Sequence, residues 1–198
     1  MTKVIAGVDE VGRGALFGPV VATAVIISPL DLPQLAQAGV KDSKKLSAAR
    51  REQLAKLIKT LAQDWQVGSA SVEEIDLFNI LQASLLAMKR AVNKLQPQPQ
   101  MCLVDGRFAI PELSIPQQTI IKGDECSLEI AAASIVAKVW RDELIVSLAP
   151  DYPGYDLAAN KGYGTKRHRL GLEKYGASSQ HRKSFRLSNR GTSVDTKS

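Results

Sequence analysis

"IAGVDEVGRGALFGPVV", residues 5–21, is the stretch whose reading decides the fold. A short apolar run ends in two adjacent carboxylates, Asp9 and Glu10, and Arg13 then stands between Gly12 and Gly14. A second run, rich in valine, alanine and isoleucine, follows Pro19. Two such runs joined by a glycine-rich turn predict strands over residues 4–9 and 20–28. The second run could be mistaken for a signal-peptide core. It follows two acids, however, and is broken by Gly18–Pro19, so a strand is the better reading.

Working outward, weak alternation over 65–72 predicts a third strand, and short apolar runs predict two more at 101–104 and 114–121. Ser47 opens a helix carrying Leu54, Leu57, Ile58 and Leu61 at helical spacing. A second amphipathic helix covers 79–95, with Leu81, Leu85, Met88 and Val92 on one face, and stops before the PQPQ linker at 97–100. From 124 to 149 runs a helix that is apolar on most sides, so it is expected at the centre, clamped between other elements. Strands first, then alternating helices and strands, argue for an α/β domain with a mixed sheet and a helical C-terminal part.

At 198 residues the chain can bury a real core. Cys102 and Cys126 show neither CxxC spacing nor a nearby histidine, which points to packing thiols in a reducing compartment. No segment approaches the roughly 18 apolar residues of a membrane span, and the expected location is the cytoplasm. The charge is uneven. Residues 1–159 hold sixteen basic and eighteen acidic side chains, whereas residues 160–198 hold ten basic and two acidic. Such clustering serves either solubility or the binding of a polyanion.

Asp9, Glu10, Asp105 and Asp124 all lie where an apolar element starts or stops, the usual place for functional groups in α/β sheets. Each has an ordinary explanation alone: Asp105–Gly106 is a turn dipeptide, Asp124 a helix-start residue, and an acid pair a solvated surface. Together they raise a functional reading. Carboxylates gathered in one cleft repel unless a cation or protons intervene, and without His or Cys the cation is oxygen-seeking, Mg²⁺ or Mn²⁺. Two such ions about 4 Å apart are the arrangement that serves phosphodiester cleavage. One geometric difficulty stands, because neighbouring strand residues face opposite ways. Asp9 and Glu10 can share a site only if the strand ends or bulges there, or if Glu10 uses its backbone carbonyl.

Six blocks in order carry a resemblance: GVDEVGRGALFGPVV (7–21), DSKKLS (42–47), LVDG (103–106), KGDECSLEIAAASIVAKVWRD (122–142), KGYGT (161–165) and HRKSF (181–185). Together the chain resembles bacterial ribonuclease HII over nearly its whole length. The resemblance implies a ribonuclease H-like fold, a five-stranded mixed sheet flanked by helices with a small helical C-terminal extension. Residues 1–150 would form the catalytic domain, 151–186 the extension and 187–198 a flexible tail. It implies an endonuclease that cuts the RNA strand of RNA–DNA hybrids and incises at ribonucleotides embedded in duplex DNA, leaving 3′-hydroxyl and 5′-phosphate ends. Asp9, Glu10, Asp105 and Asp124 would be the catalytic ligands of Mg²⁺ or Mn²⁺, with two ions during catalysis.

By the same resemblance, Gly12, Arg13 and Gly14 contact the ribonucleotide that marks the cut, and Tyr163 stacks on the neighbouring deoxyribose. Ser43 and Lys44 reach phosphates, with Lys45 beside them. Lys138 and Arg141 read equally as helix-surface charges, while His181 and Arg182 brace the extension or touch the nucleic acid backbone. Ala15 stands where the family often has proline, and Arg13 where ribonuclease HIII has lysine. A monomer without small-molecule cofactor, membrane contact or sliding-clamp motif is expected. The competing readings are a non-catalytic basic nucleic-acid-binding protein and a DNA nuclease or strand-transfer enzyme on the same fold.

Overall fold

The computed structural model describes residues 3–40 and 46–187. Ser43, Lys44 and Lys45 lie outside the described residues, as does the tail from 188. Strands β1 (Ile5–Val11), β2 (Val20–Ile27) and β3 (Ala62–Ala70) form an antiparallel meander. Strands β4 (Met101–Asp105) and β5 (Gln117–Ile120) then add in parallel on the other side of β1. The order β3-β2-β1-β4-β5 is the mixed five-stranded sheet that the sequence predicts.

Strand β2 is buried along its whole length because both faces of the sheet are covered. Ala22, Ala24 and Ile26 face one layer, where α4 (Ile80–Lys94) contributes Ala83, Ala87, Met88, Ala91 and Val92. Val25 and Ile27 face the other, built from Leu54, Ala55 and Ile58 of α2 (Ala48–Leu61) and Ala132, Ile135 and Val136 of α6 (Leu128–Leu148). Helix α6 rests directly on β1: a Cβ at Gly7 would fall 2.1 Å from the backbone carbon of Glu129. Only glycine allows that approach.

Strand β1 runs past Asp9 to Val11 and β5 starts at Gln117 rather than at 114, and two further boundaries move for a local reason. The third strand starts at Ala62, straight off α2, and ends at Ala70 rather than at 72. Ser71 instead caps α3 (Val72–Phe78): its hydroxyl accepts from the Glu74 N–H at 3.2 Å, and the Glu74 carboxylate accepts from the Ser71 N–H at 2.9 Å. The helix expected over 124–149 is two pieces. Lys122 takes a left-handed conformation (φ +55°), Gly123–Cys126 form a single turn, α5, and Ser127 is extended before capping α6 through the Ile130 N–H. Asp124 therefore belongs to α5 and does not open the central helix. That helix is central as expected, with Ala131, Ile135, Val136 and Arg141 all buried.

After a 3₁₀ turn at Ala149–Asp151, the chain forms α7 (Leu157–Asn160) and α8 (Lys166–Tyr175). Tyr155, Leu157 and Leu172 pack with Ile145 against Leu16 and Phe17, the residues just beyond the glycine-rich turn. The remaining α1 (Leu32–Gln37) seats Leu35 beside α6. No helix among the described residues is long and apolar enough to cross a membrane.

Candidate active site

The parallel pairing of β1 with β4 runs from Ile5 and Met101 to Val8 and Val104. The next residue on each strand is an aspartate, so the register alone brings Asp9 and Asp105 side by side at the carboxyl end of the parallel pair. Glu10 joins them. Ligand oxygens of Asp9, Glu10 and Asp105 all lie within 4.8 Å of one another.

Neither a bulge nor the end of the strand is how this happens. Pairing of β1 with β2 stays regular through Val11. The Asp9 carboxylate accepts the Glu10 N–H at 2.7 Å, and the Arg13 guanidinium donates to the Glu10 carboxylate at 3.1 Å. Asp105 is anchored by the Gly123 N–H at 2.7 Å, which ties the end of β4 to α5. A Cβ on Gly123 would meet Ile130 at 2.4 Å. Asp124 is buried on the next residue of that turn, outside the group of three.

Proximity and burial govern the charge of the trio. Burial raises Asp9 well above the ordinary carboxylate range; Glu10 and Asp105 raise it further, against hydrogen bonds from Ser134 and the Glu10 N–H. Burial also raises Glu10, while the Arg13 guanidinium, 3.1 Å from its carboxylate, pulls the other way. Three crowded acids that offer only oxygen ligands fit a hard divalent cation, whose charge would relieve that repulsion. They line a cleft of about 540 Å³ together with Gly12, Arg13, Ser134, Lys138 and Tyr163.

The glycine-rich turn occupies one wall. Gly12 has φ +89°, and a Cβ there would sit 2.1 Å from Nε of Arg141. Gly14 differs: among the described residues nothing lies within 4 Å of a Cβ built on it. Ala15 makes a single antiparallel bridge with Tyr163, and Phe17 makes another with His181. The turn and the KGYGT segment are thus joined backbone to backbone, and the Tyr163 ring faces the cleft beneath Lys138, whose Nζ is 5.1 Å from its centroid.

Several residues that hold this wall were not legible as such. Arg141 is fully buried rather than on the helix surface, and donates to the carbonyls of Phe17 (3.0 Å), Pro19 (3.1 Å) and Lys161 (3.0 Å). Arg182 is equally buried and holds the carbonyls of Arg13 (2.9 Å) and Gly18 (3.0 Å), so it braces the extension. Burial and the nearby Arg141 push its pKa down to about 9, which leaves it charged at neutral pH. A signal was available: Ser134, Lys138 and Arg141 recur at i, i+4 and i+7, one face of α6.

The two histidines form a directed chain. Ser178 N–H donates to Nδ1 of His181 at 3.0 Å, so the proton of neutral His181 is on Nε2, which lies 3.0 Å from Nε2 of His168. His168 must then carry its proton on Nδ1 and donate it to the Tyr163 carbonyl at 3.0 Å. Burial, then the neighbouring His168, pushes His181 down to about 4, and burial lowers His168 as well. Both rings are neutral at pH 7.

The chain is similar to known proteins over nearly its whole length. The family model for ribonuclease HII matches residues 6–188. The ribonuclease HII of Trichormus variabilis is 64% identical over 186 residues, covering 94% of this chain and 83% of that protein. The crystal structure of ribonuclease H2 from Pyrococcus horikoshii OT3 aligns with a TM-score of 0.78 at 29% identity, over 93% of this chain and 95% of that one. The ribonuclease HII of Archaeoglobus fulgidus, solved as a PCNA:RNase HII complex, gives 0.79 at 30% identity over 97% and 98%.

Proposed function

This chain belongs to the ribonuclease HII family of hydrolytic endonucleases that act on RNA–DNA hybrids, and from that premise we propose that it incises duplex DNA at embedded ribonucleotides as well as cutting the RNA strand of longer hybrids. The observation that carries the reading is adjacency. The carboxylate trio and the Gly12–Arg13–Gly14 turn share one cleft, coupled by the 3.1 Å contact of Arg13 with Glu10.

Asp9, Glu10, Asp105 and, beside them, Asp124 would hold Mg²⁺ or Mn²⁺. Two such ions, when bound, supply an activated water and neutralise charge building on the leaving oxygen, giving 3′-hydroxyl and 5′-phosphate ends. The chain's own residues choose the phosphate. Gly14, open on its Cβ side, lets the backbone approach a sugar closely, and the 2′-hydroxyl is the group that distinguishes RNA from DNA. Across the bridge from Ala15, the Tyr163 ring offers a flat face to the next sugar, on which a deoxyribose packs more closely than a ribose, so a junction is preferred over a uniform hybrid. Ser43 and Lys44 are assigned to phosphates of the same strand, and the exposed cations of α8 to duplex beyond the cleft.

The test is cleavage of a duplex with one ribonucleotide, mapped to the nucleotide, in Mg²⁺ and in Mn²⁺. A single cut beside the ribonucleotide, lost in Asp9→Asn and Asp105→Asn, is the expected result. Equal cutting of an all-DNA control would overturn the reading.

A further inference from the structure

The proposed reader has two parts from distant segments, residues 12–14 and Tyr163, and their relative placement must be held to within a fraction of an ångström. One buried side chain touches both. The Arg141 guanidinium bonds Phe17 and Pro19, where the chain leaves the glycine-rich turn, and Lys161, where it enters KGYGT. It also lies against Gly12, and its Cζ is 5.6 Å from the centroid of the Tyr163 ring. The catalytic carboxylates are held by other contacts, Asp9 by the Glu10 N–H and Asp105 by the Gly123 N–H.

Resting on the proposed function, we infer that Arg141 is a positioning residue for specificity, which keeps the 2′-hydroxyl reader and the deoxyribose platform in register so that a single embedded ribonucleotide is recognised. The chemistry requires arginine. Three carbonyls in three directions match a planar fork of five N–H donors, whereas a lysine ammonium is a compact point charge that cannot span them. The inward-facing Gly12 belongs to the same device, since a side chain there would displace the guanidinium.

Arg141→Lys keeps the charge and removes the fork. A uniform RNA–DNA hybrid offers a 2′-hydroxyl at every step and depends less on the register of the two parts than an RNA–DNA junction does. The variant is therefore expected to lose about 10- to 100-fold in kcat/KM on the single-ribonucleotide duplex and about threefold or less on the hybrid. Mn²⁺ binding, measured by calorimetry, should not change. In a Tyr163→Ala background the substitution should move the ratio between substrates no further, because its effect passes through Tyr163. An unchanged ratio, whether both substrates are retained or both lost equally, overturns the inference. Should Arg141→Lys fail to fold, Arg141→Gln, a neutral amide with two donors, is judged by the same ratio. Wild-type protein that leaves the single-ribonucleotide duplex intact would instead sink the functional reading.

Discussion

Asp9→Asn should abolish cleavage and, without metal, make the protein more stable. The amide is isosteric, and its oxygen still accepts the Glu10 N–H. What disappears is a buried negative charge within 4.8 Å of two others. At an effective dielectric constant near 20, each fully ionised pair at that distance costs about 3.5 kcal/mol. The raised pKa of Asp9 shows that protonation already relieves part of this. A net gain of about 1–3 kcal/mol remains, or roughly 3–8 °C in Tm for a chain of this size. The pH dependence has a definite sign. A folded-state pKa raised above the unfolded value means that the native state binds more protons in the window between the two. Stability therefore falls as pH rises through it, and the cost is complete above the folded pKa. The advantage of the variant should be greatest at pH 7–8 and vanish toward pH 4. Divalent metal should reverse the order, because it stabilises whichever protein binds it. The assay is thermal melting with EDTA and with Mn²⁺, at pH 5 and 7.5. An Asn variant that melts at or below wild type in EDTA at pH 7.5 would refute the reasoning.

The histidine chain predicts an acid weakness. The unfolded state binds protons near pH 6.5, but His181 resists until about 4, so its contribution is present above 6.5 and lost as pH falls to 4, about 3 kcal/mol. With only two histidines, NMR titration of their ring protons checks this directly; an ordinary pKa for His181 would remove it. Gly7→Ala should cost at least about 3 kcal/mol, since its methyl would meet the α6 backbone rather than a movable side chain, and a denaturant midpoint within error of wild type would contradict the close packing of β1 on α6. Replacing exposed Lys166 and Arg167 together by Gln should weaken duplex binding and flatten its salt dependence by about two charges. Unaltered salt dependence would place the docking surface elsewhere.

The sheet was legible because its information is local. Alternation, glycines and turn residues mark five strands, and the carboxylates at strand ends stood out by position. Boundaries failed where a cap overrode periodicity: Ser71 ended β3 and Ser127 began α6, and the S-x-x-E box of residues 71–74 was readable in the sequence. The convergence of Asp9 and Glu10 was not legible. It depends on how side chains turn on an unbulged strand, which residue order does not encode. Arg141 was missed for a related reason. Its carbonyl partners come from residues 17, 19 and 161, and nothing near it in sequence announces them.

The distribution of supports would let the two tasks proposed for this chain be separated. Of the residues proposed to cut, Asp9 and Asp105 sit on β1 and β4, where strand register and a backbone N–H to each set their positions. The residues proposed to read the substrate hang on a turn and a loop with little secondary structure of their own. Their carbonyls are collected by Arg141 and Arg182, and the Tyr163 carbonyl by His168. Such buried cations are costly to desolvate, and an apolar filler would pack the same space with less penalty. They recover the cost only by fixing several main-chain oxygens at once, so what they add is placement rather than net stability. The turn that bears Arg13 is also one strand step from Glu10. On the proposed function, a substrate seated on that turn would present the neighbouring phosphate to the carboxylates, and a displaced turn would move the cut without dismantling the residues proposed to make it.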